Sequence, residues 1–360
     1  MLKGNIGEWS EVYVLLKLLG EGKLFAADEN LNRIEEQFFP IIKIMREEEK
    51  GKINEYFPLK SSNVEVYVDG IKQKKIPKSI FDIESKKLFQ KMTIQKKSKG
   101  TFAVEETEKF MTEIKCFKIK APSKDKSDIK INIMDINTGY SPIVGFSIKS
   151  ELGNAPTLLN AGKTTNFIYK VTSTNPKVIE EVNDIYNSKG KIDVKGRIRH
   201  INNTGKVEYC DMENTVFKDN IILIDSLMDK MIAETLLYFY RDGIIECKQM
   251  VQKLETENPF DYGNSNAYSY KFKKFFAAVA LGMRPGTKWD GKDEANGGYI
   301  IVTKKGDVVA YHIYNRNYFE EYLLKNTRYE VSSTSRHDFG YIYEYNKEKY
   351  IKLNLQVRFL

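Results

Sequence analysis

Cysteine, histidine, proline and tryptophan are all scarce: three, three, nine and two in 360 residues. Cys116, Cys210 and Cys247 are scattered and odd in number, which excludes a disulfide scaffold or a cysteine-based zinc module and suits a reducing compartment. His200, His312 and His337 are too dispersed for a histidine metal motif, and His312, inside a predicted strand, reads as a hydrogen-bonded structural residue. No apolar run approaches the roughly 18 residues of a membrane span. The stretch from Val12 to Leu19 is broken by Lys17, and that from Phe272 to Met283 by Lys273 and Lys274. Glu8 precedes any signal-peptide core, so the expectation is a cytoplasmic protein without a membrane partner. G-x-S-x-G and Cys–His spacings for acyl chemistry are missing, as are internal repeats and low-complexity linkers.

The length suits two or three structural units or one elaborated domain. Hydrophobic residues at 41% and aromatic residues at 12% exclude a disordered chain. Lys+Arg number 57 against 49 Asp+Glu, a net charge of +8. That excess suits a polyanion partner, though many soluble proteins carry as much and touch none. Only 10 of the 57 cations are arginine, and five of those fall at or after Arg284. Arginine's planar fork matches guanine edges while lysine is a point charge for phosphate, so base reading is sought in the late arginines.

The spacing of Trp9, Val12, Tyr13, Leu16 and Leu19 predicts an N-terminal helix ended by Gly20 and Gly22, with Glu8 and Glu11 on its other side. Residues 31–50 read as a second helix. A Lys-rich insertion follows over about 51–125, with strand-like pieces at Val64–Val68 and Ile114–Ile119. From Ser127 the period becomes two: Asp128–Asp135 and Val144–Glu151 alternate around the turn residues Asn137, Thr138, Gly139 and Pro142, predicting a hairpin. A strand over Asn166–Val171, a helix around Pro176–Tyr186 and a second hairpin over 191–210 come next. Helical stretches follow over 220–254 and 270–281. Strands Tyr299–Thr303 and Val308–Tyr314, a helix Tyr318–Lys325 and a hairpin turning at Asn346-Lys347 complete a mixed α+β pattern.

If Ile129, Ile131 and Ile133 share the core face with Phe146 and Ile148, then Asp128, Lys130 and Asn132 share the opposite face with Ser147, Lys149 and Glu151. A turn near Gly139 or Tyr140 places Asp128 across from Lys149 or Glu151. Asp135 falls on the apolar parity, which favours Asp128. Two carboxylates can hold a hard divalent cation such as Mg²⁺, and a lysine beside them can orient or deprotonate a water attacking phosphate. Glu8 or Glu11 is a candidate third carboxylate. The plain alternative is a surface hairpin whose solvent face is charged.

An N-terminal helix with glutamates, an acid on one strand, and an acid-or-substitute, any residue, lysine pattern on the next resembles the PD-(D/E)XK nuclease core. More narrowly, Lys3-Gly4 with Gly7–Glu11, the block Gly145–Gly153 with Pro156–Ala161 and Thr165–Tyr169, and the C-terminal Gly297-Gly298-Tyr299 through Tyr311-His312 to Gln356–Phe359 resemble the HpaII-type family of type II restriction endonucleases. The resemblance implies Mg²⁺-dependent double-strand cleavage at a short palindrome such as CCGG. It also implies a double-stranded DNA substrate and a host DNA methyltransferase guarding the same site; a palindromic target is matched most simply by a homodimer. Asp128 takes the first acid and Lys149 the lysine, whereas Ser147 stands where a carboxylate is usual. The missing charge would come from Glu151, Glu8 or Glu11. A structure-selective nuclease and a non-catalytic DNA-binding protein are the other readings.

Ala161-Gly162-Lys163-Thr164 echoes a P-loop but lacks its first glycine, at Thr157, and precedes a strand rather than a helix. Lys163 is instead a candidate phosphate contact. The polar run Ser332–Asp338 makes Arg336 the first candidate for base recognition, with Arg316 and Arg328 behind it. The expected organisation is a nuclease core over 1–172, carrying the insertion, and a mixed α/β remainder over 173–360 contributing to DNA binding and recognition.

Overall fold

In the computed structural model, which describes residues 1–28, 30–49, 51–95, 100–120, 127–136, 138–311 and 315–360, the first element is helix α1 (Ile6–Glu21). A capping box starts it: the Asn5 side chain accepts from the Glu8 amide at 3.0 Å, and the Glu8 carboxylate accepts from the Asn5 amide at 2.9 Å. Gly22, at φ +68°, ends it by donating to the Leu18 carbonyl. The expected single apolar face understates its burial. Trp9, Val12, Val14, Leu15, Leu16 and Leu18 all reach zero exposure, so α1 is enclosed on every side.

What encloses it is a nine-stranded sheet in the first of two compact units, Met1–Pro156 with Asp293–Phe319. Its strands are β1 (Lys23–Ala27), β2 (Arg33–Glu49), β3 (Lys52–Pro58), β4 (Asn63–Val68), β5 (Ile71–Pro77), β6 (Ile129–Ile133), β7 (Ile143–Ser150), β11 (Gly298–Val302) and β12 (Val308–Tyr311). They are ordered β1-β12-β11-β7-β6-β2-β3-β4-β5, and β2 also pairs with β1, which closes a six-strand ring of pairings. The predicted hairpin is β6–β7, antiparallel, with Ile129, Ile131, Val144 and Phe146 in the core. Helices α2 (Lys78–Gln95) and α3 (Glu105–Glu113) complete that core through Phe81, Leu88, Met92 and Met111.

Two expectations in this unit fail. The segment read as a helix over 31–50 carries the strand Arg33–Glu49: its composition and its spacing of Ile34, Phe38, Ile41 and Met45 suit a helix, but pairing with β1, β6 and β3 overrides local preference. The charged end of β2 is not a solvated run, because Arg46 and Glu48 are buried and ion-paired at 3.2 Å. Ile114–Ile119 is no strand either. The amides of Phe117 and Lys118, free of any ladder, both donate to the Glu48 carboxylate, at 2.9 and 3.0 Å. The piece at Val64–Val68 is β4, as expected.

The second unit is Thr157–Lys292 with Glu320–Leu360, and α10 (Arg316–Lys325) spans the change from one to the other. It begins with β8 (Thr157–Leu159), a 3₁₀ turn over Lys163–Thr165 and β9 (Asn166–Ser173). Next come α4 (Val178–Asn183), α5 (Val194–Thr204), β10 (Gly205–Met212), α6 (Thr215–Ile222), α7 (Met228–Tyr240), α8 (Cys247–Glu257) and α9 (Ala267–Leu281). The chain closes with β13 (Thr327–Tyr329), α11 (Thr334–His337), β14 (Ile342–Tyr345), β15 (Glu348–Asn354) and β16 (Val357–Phe359). Two small sheets form, β10-β9-β15-β14 and β13-β16-β8. The last hairpin turns at Asn346 and Lys347, both at positive φ, as a tight type I′ connection requires. The hairpin expected over 191–210 is a helix and one strand. Asp193 caps α5 by accepting from the Gly196 amide at 3.0 Å, 205–212 pairs with β9, and Ile192 makes an isolated bridge with Tyr186. The helical stretch over 220–254 is three helices, interrupted at Asp225, whose side chain accepts from the Leu227 amide, and at Gly243, which has φ +77°.

Candidate active site

The β6–β7 register pairs Ile129 with Phe146 and Lys130 with Gly145. Extended by one residue, it sets Asp128 opposite Ser147, rather than opposite Lys149 or Glu151 as expected. The difference is an even number of residues, so every side chain keeps its face. Because β6 begins at Ile129, the residues of β7 from Ser147 onward run past its end. Asp128 takes over there. Its amide donates to the Phe146 carbonyl at 2.8 Å, and its Oδ2 accepts from the Ile148 amide at 2.7 Å and from Ser147 Oγ at 3.2 Å. Oδ2 is thereby fixed, while Oδ1 accepts no hydrogen bond from any described residue. Ser147, which lacks the charge of the usual carboxylate, acts on the acid as a donor, and it is buried.

Close backbone approach sets this geometry. A β-carbon on Gly145 would stand 2.7 Å from Ser127 Cβ, and one on Gly297 would stand 2.9 Å from the Gly145 carbonyl and from the Phe146 ring. The Gly145 amide donates to Asn296 Oδ1 at 2.8 Å, and its carbonyl accepts from the Gly297 amide at 2.7 Å. Glycine at these positions lets β7 and the chain leading into β11 meet without a side chain between them.

Lys149 projects from β7 with its ammonium 5.2 Å from the ring centroid of Tyr299 on the parallel neighbour β11. Burial pushes the Lys149 pKa down, and the nearby charges of Asp128 and then Glu11 pull it partly back. Asp128, Lys149 and Glu11 are therefore one electrostatic group. Glu11 also acts on Lys120, whose pKa is raised first by its hydrogen bond to Glu8. Around Arg46, burial works against the charge and Cys116, Glu48, Tyr56 and Glu11 outweigh it. Arg46 and Tyr299 are neighbours that sequence reasoning missed. Arg46 lay in a segment read as helix; Tyr299 is an ordinary core aromatic until β11 is placed beside β7.

The other acids sit differently. Glu8 is engaged by the capping box and by Lys120 at 2.9 Å, and burial raises its pKa less than these partners lower it. Glu151 lies beyond the end of β7, where its carboxylate accepts from the Lys304 amide at 3.1 Å. Among the described residues, no three His, Cys, Asp or Glu side chains converge as a ready-made metal cage. One or two carboxylates, completed by water and substrate phosphate, are what Mg²⁺ usually takes from a protein, so Asp128 with Glu11 fits that ion and does not fit a closed structural metal site.

In the second unit Lys163 and Arg336 are both exposed. Lys163 stands 3.8 Å from Asp338, and Arg336 forms no ion pair with a described residue. Arg316, in the first unit, pairs with Asp293 at 3.2 Å, and Arg328 lies 3.8 Å from Glu330. The P-loop echo is the turn into β9, with no helix after it. His312 and the turn residue Asn137 lie outside the described residues. No helix among the described residues is long and apolar enough to cross a membrane.

Residues 5–359 match the family model described as HpaII restriction endonuclease. The chain is also 38% identical over 363 residues to the type II restriction enzyme HpaII of Haemophilus parainfluenzae, covering 99% of this chain and 98% of that one. No solved structure matches.

Proposed function

Since the chain belongs to the HpaII restriction endonuclease family, we propose that its first unit cleaves DNA by Mg²⁺-dependent phosphodiester hydrolysis on a PD-(D/E)XK-like core and that its second unit supplies recognition contacts. The chain is a type II site-specific endonuclease. The observation that carries the chemistry is Lys149, held where β7 outruns β6 with the charges of Asp128 and Glu11 acting on it. Asp128, through its Oδ1, and Glu11 would hold the ion. Bound there, Mg²⁺ neutralises phosphate charge and makes a bound water more acidic. Lys149 Nζ orients the attacking water and, in its neutral form, accepts its proton. Its charged form stabilises the pentacovalent phosphate. Ser147 and the Ile148 amide keep Asp128 aimed. Glu151 and Glu8, each engaged elsewhere, are weaker candidates for the second carboxylate. Arg336 reads a base and Lys163 contacts phosphate, with Arg328 and Arg316 secondary. A short palindrome such as CCGG, a homodimer, a companion methyltransferase and a cytoplasmic location complete the reading.

The test is incubation of long unmethylated DNA with the purified protein, in Mg²⁺ and in EDTA, beside Lys149→Ala, followed by sequencing of product ends. Discrete fragments sharing one terminal sequence, lost in EDTA and in the variant, are expected. A smear would move the reading to a structure-selective or nonspecific nuclease. Uncut DNA that is nevertheless bound would move it to a DNA-binding protein.

A further inference from the structure

Asn166 opens β9 and Asn354 ends β15, and the two are register partners. Both are essentially without solvent exposure, 0% and 1%. A buried primary amide must place two donors and an acceptor, and these two do so on each other and on two chain segments. Asn354 Nδ2 lies 2.7 Å from Asn166 Oδ1, 2.8 Å from the Gly162 carbonyl and 3.1 Å from Thr165 Oγ1. Its Oδ1 accepts from Ser332 Oγ at 2.8 Å. Asn166 Nδ2 donates to the His337 carbonyl at 2.8 Å and to Glu213 Oε2 at 2.7 Å. Thus Asn354 holds both the turn that carries Lys163 and the start of the segment that carries Arg336, and Asn166 holds that segment's end. A second layer repeats the link: Glu213 Oε1 accepts from Lys352 at 2.8 Å, and Asp338 stands 3.5 Å from Lys352 and 3.8 Å from Lys163.

We propose that the Asn166–Asn354 pair is a specificity-determining positioning couple: it fixes the Lys163 turn relative to α11, so that a phosphate contact and a base contact are made in one register on the DNA. This rests on the assignment of Lys163 and Arg336 to DNA recognition. The physical reason is cooperative. A phosphate contact alone carries no sequence information, but held at a set separation from a base-reading arginine it restricts where that arginine can land. An apolar core would bury the strands as well without tying two loops to one another.

The experiment compares wild type with Asn354→Asp, Ser332→Ala, Arg336→Ala and the Asn354→Asp/Arg336→Ala double variant. The readouts are kcat/KM on a duplex with the cleavage site, kcat/KM on duplexes with one base pair changed, and thermal unfolding. Asn354→Asp faces the Gly162 carbonyl with an acceptor, and Ser332→Ala removes one bond to the same amide while touching nothing else in the pair. The expected result is a fall in cognate over near-cognate discrimination of about tenfold for Asn354→Asp, the scale of one hydrogen bond lost. A smaller fall is expected for Ser332→Ala, and little further fall when Asn354→Asp is added to Arg336→Ala. Equal loss on cognate and near-cognate duplexes, or full additivity with Arg336→Ala, would assign the pair a purely structural role and overturn the proposal. If Asn354→Asp does not fold, unchanged discrimination in Ser332→Ala overturns it. A wild type that shows no discrimination between the duplexes removes the recognition reading itself, a separate outcome.

Discussion

Lys149 stands under opposed pressures, and their balance is measurable. Burial favours the neutral amine, while Asp128 and Glu11 favour the ammonium; the net direction is down from the usual lysine value. A base must be neutral to accept a proton, so single-turnover cleavage in Mg²⁺ is expected to rise with pH through the Lys149 titration, at a pH below the range where surface lysines titrate. Lys149→Arg keeps the charge but cannot deprotonate there, and should lose about 10²–10⁴-fold in rate with DNA binding retained; an active Lys149→Arg with an unchanged pH profile would remove the lysine from proton transfer. The same shift has a stability sign. Between the folded and unfolded pKa values the unfolded chain binds the extra proton, so stability rises with pH across that window, and below it the buried charge is a standing cost. The carboxylates separate by a second comparison. Glu11→Gln removes a carboxylate proposed to hold the ion, so it should cut the rate by more than a hundredfold, within the range of a lost electrostatic contact; because the same charge pulls the Lys149 pKa up, the variant should also move the rising limb to lower pH. Glu151→Gln, whose parent accepts from the Lys304 amide, should leave rate and profile near wild type. The reverse ranking of the two variants would return the metal to Glu151.

At the scale of elements, what was legible in the sequence was whatever local chemistry decides. α1 is announced by apolar spacing and a terminal glycine, and the β6–β7 hairpin by strict alternation, which fixes the face of Asp128, Ser147 and Lys149 even though the expected register, Asp128 opposite Lys149 or Glu151, is two or four residues off. The proposed acid and lysine rest on that parity together with the family resemblance. β2 and α5 were not legible. The first is a strand because three neighbours pair with it, and the second is a helix because Asp193 caps it and because Arg197, wholly buried, donates to the carbonyls of Ile185 and Gly340. Each draws part of its support from far along the chain, β2 from β6 and α5 from the Gly340 carbonyl. Tyr299 and Arg46 belong to the same class, since strand order alone brings them to the site. Close approach at the strand ends yields a third prediction. Gly145→Ala must displace Ser127, one residue before Asp128, and should cost about 1–3 kcal/mol in unfolding free energy as an overpacked position does. Cleavage should fall with it, because Asp128 moves with its neighbour. A variant that melts and cuts as wild type does would show that Ser127 yields without disturbing the acid.

For the whole molecule, the +8 net charge attracts DNA without reading it, and Lys163 and Arg336, both exposed in the second unit, should divide the labour. Lys163→Ala is expected to weaken binding by a similar factor on every sequence and to reduce the slope of log K against log salt by about 1. Arg336→Ala should instead relax discrimination by about 1–3 kcal/mol at one base pair and leave the other positions alone. Uniform weakening by Arg336→Ala would make it a second phosphate contact. The palindromic target proposed for this enzyme adds a constraint that one chain would not meet in a single orientation, because a single copy of the proposed Asp128 and Lys149 would face one strand of a symmetric site. Two copies related by a two-fold axis present the same residues to both strands, and the symmetry of the target then mirrors that of the protein. Sedimentation of the protein on a site-containing duplex in Ca²⁺, chosen to occupy the acids while slowing turnover, should therefore give two chains per duplex. In Mg²⁺, both strands should be cut within one binding event. A complex of one chain per duplex that releases nicked DNA before the second cut would replace the dimer with sequential action by a monomer that must turn round on its site.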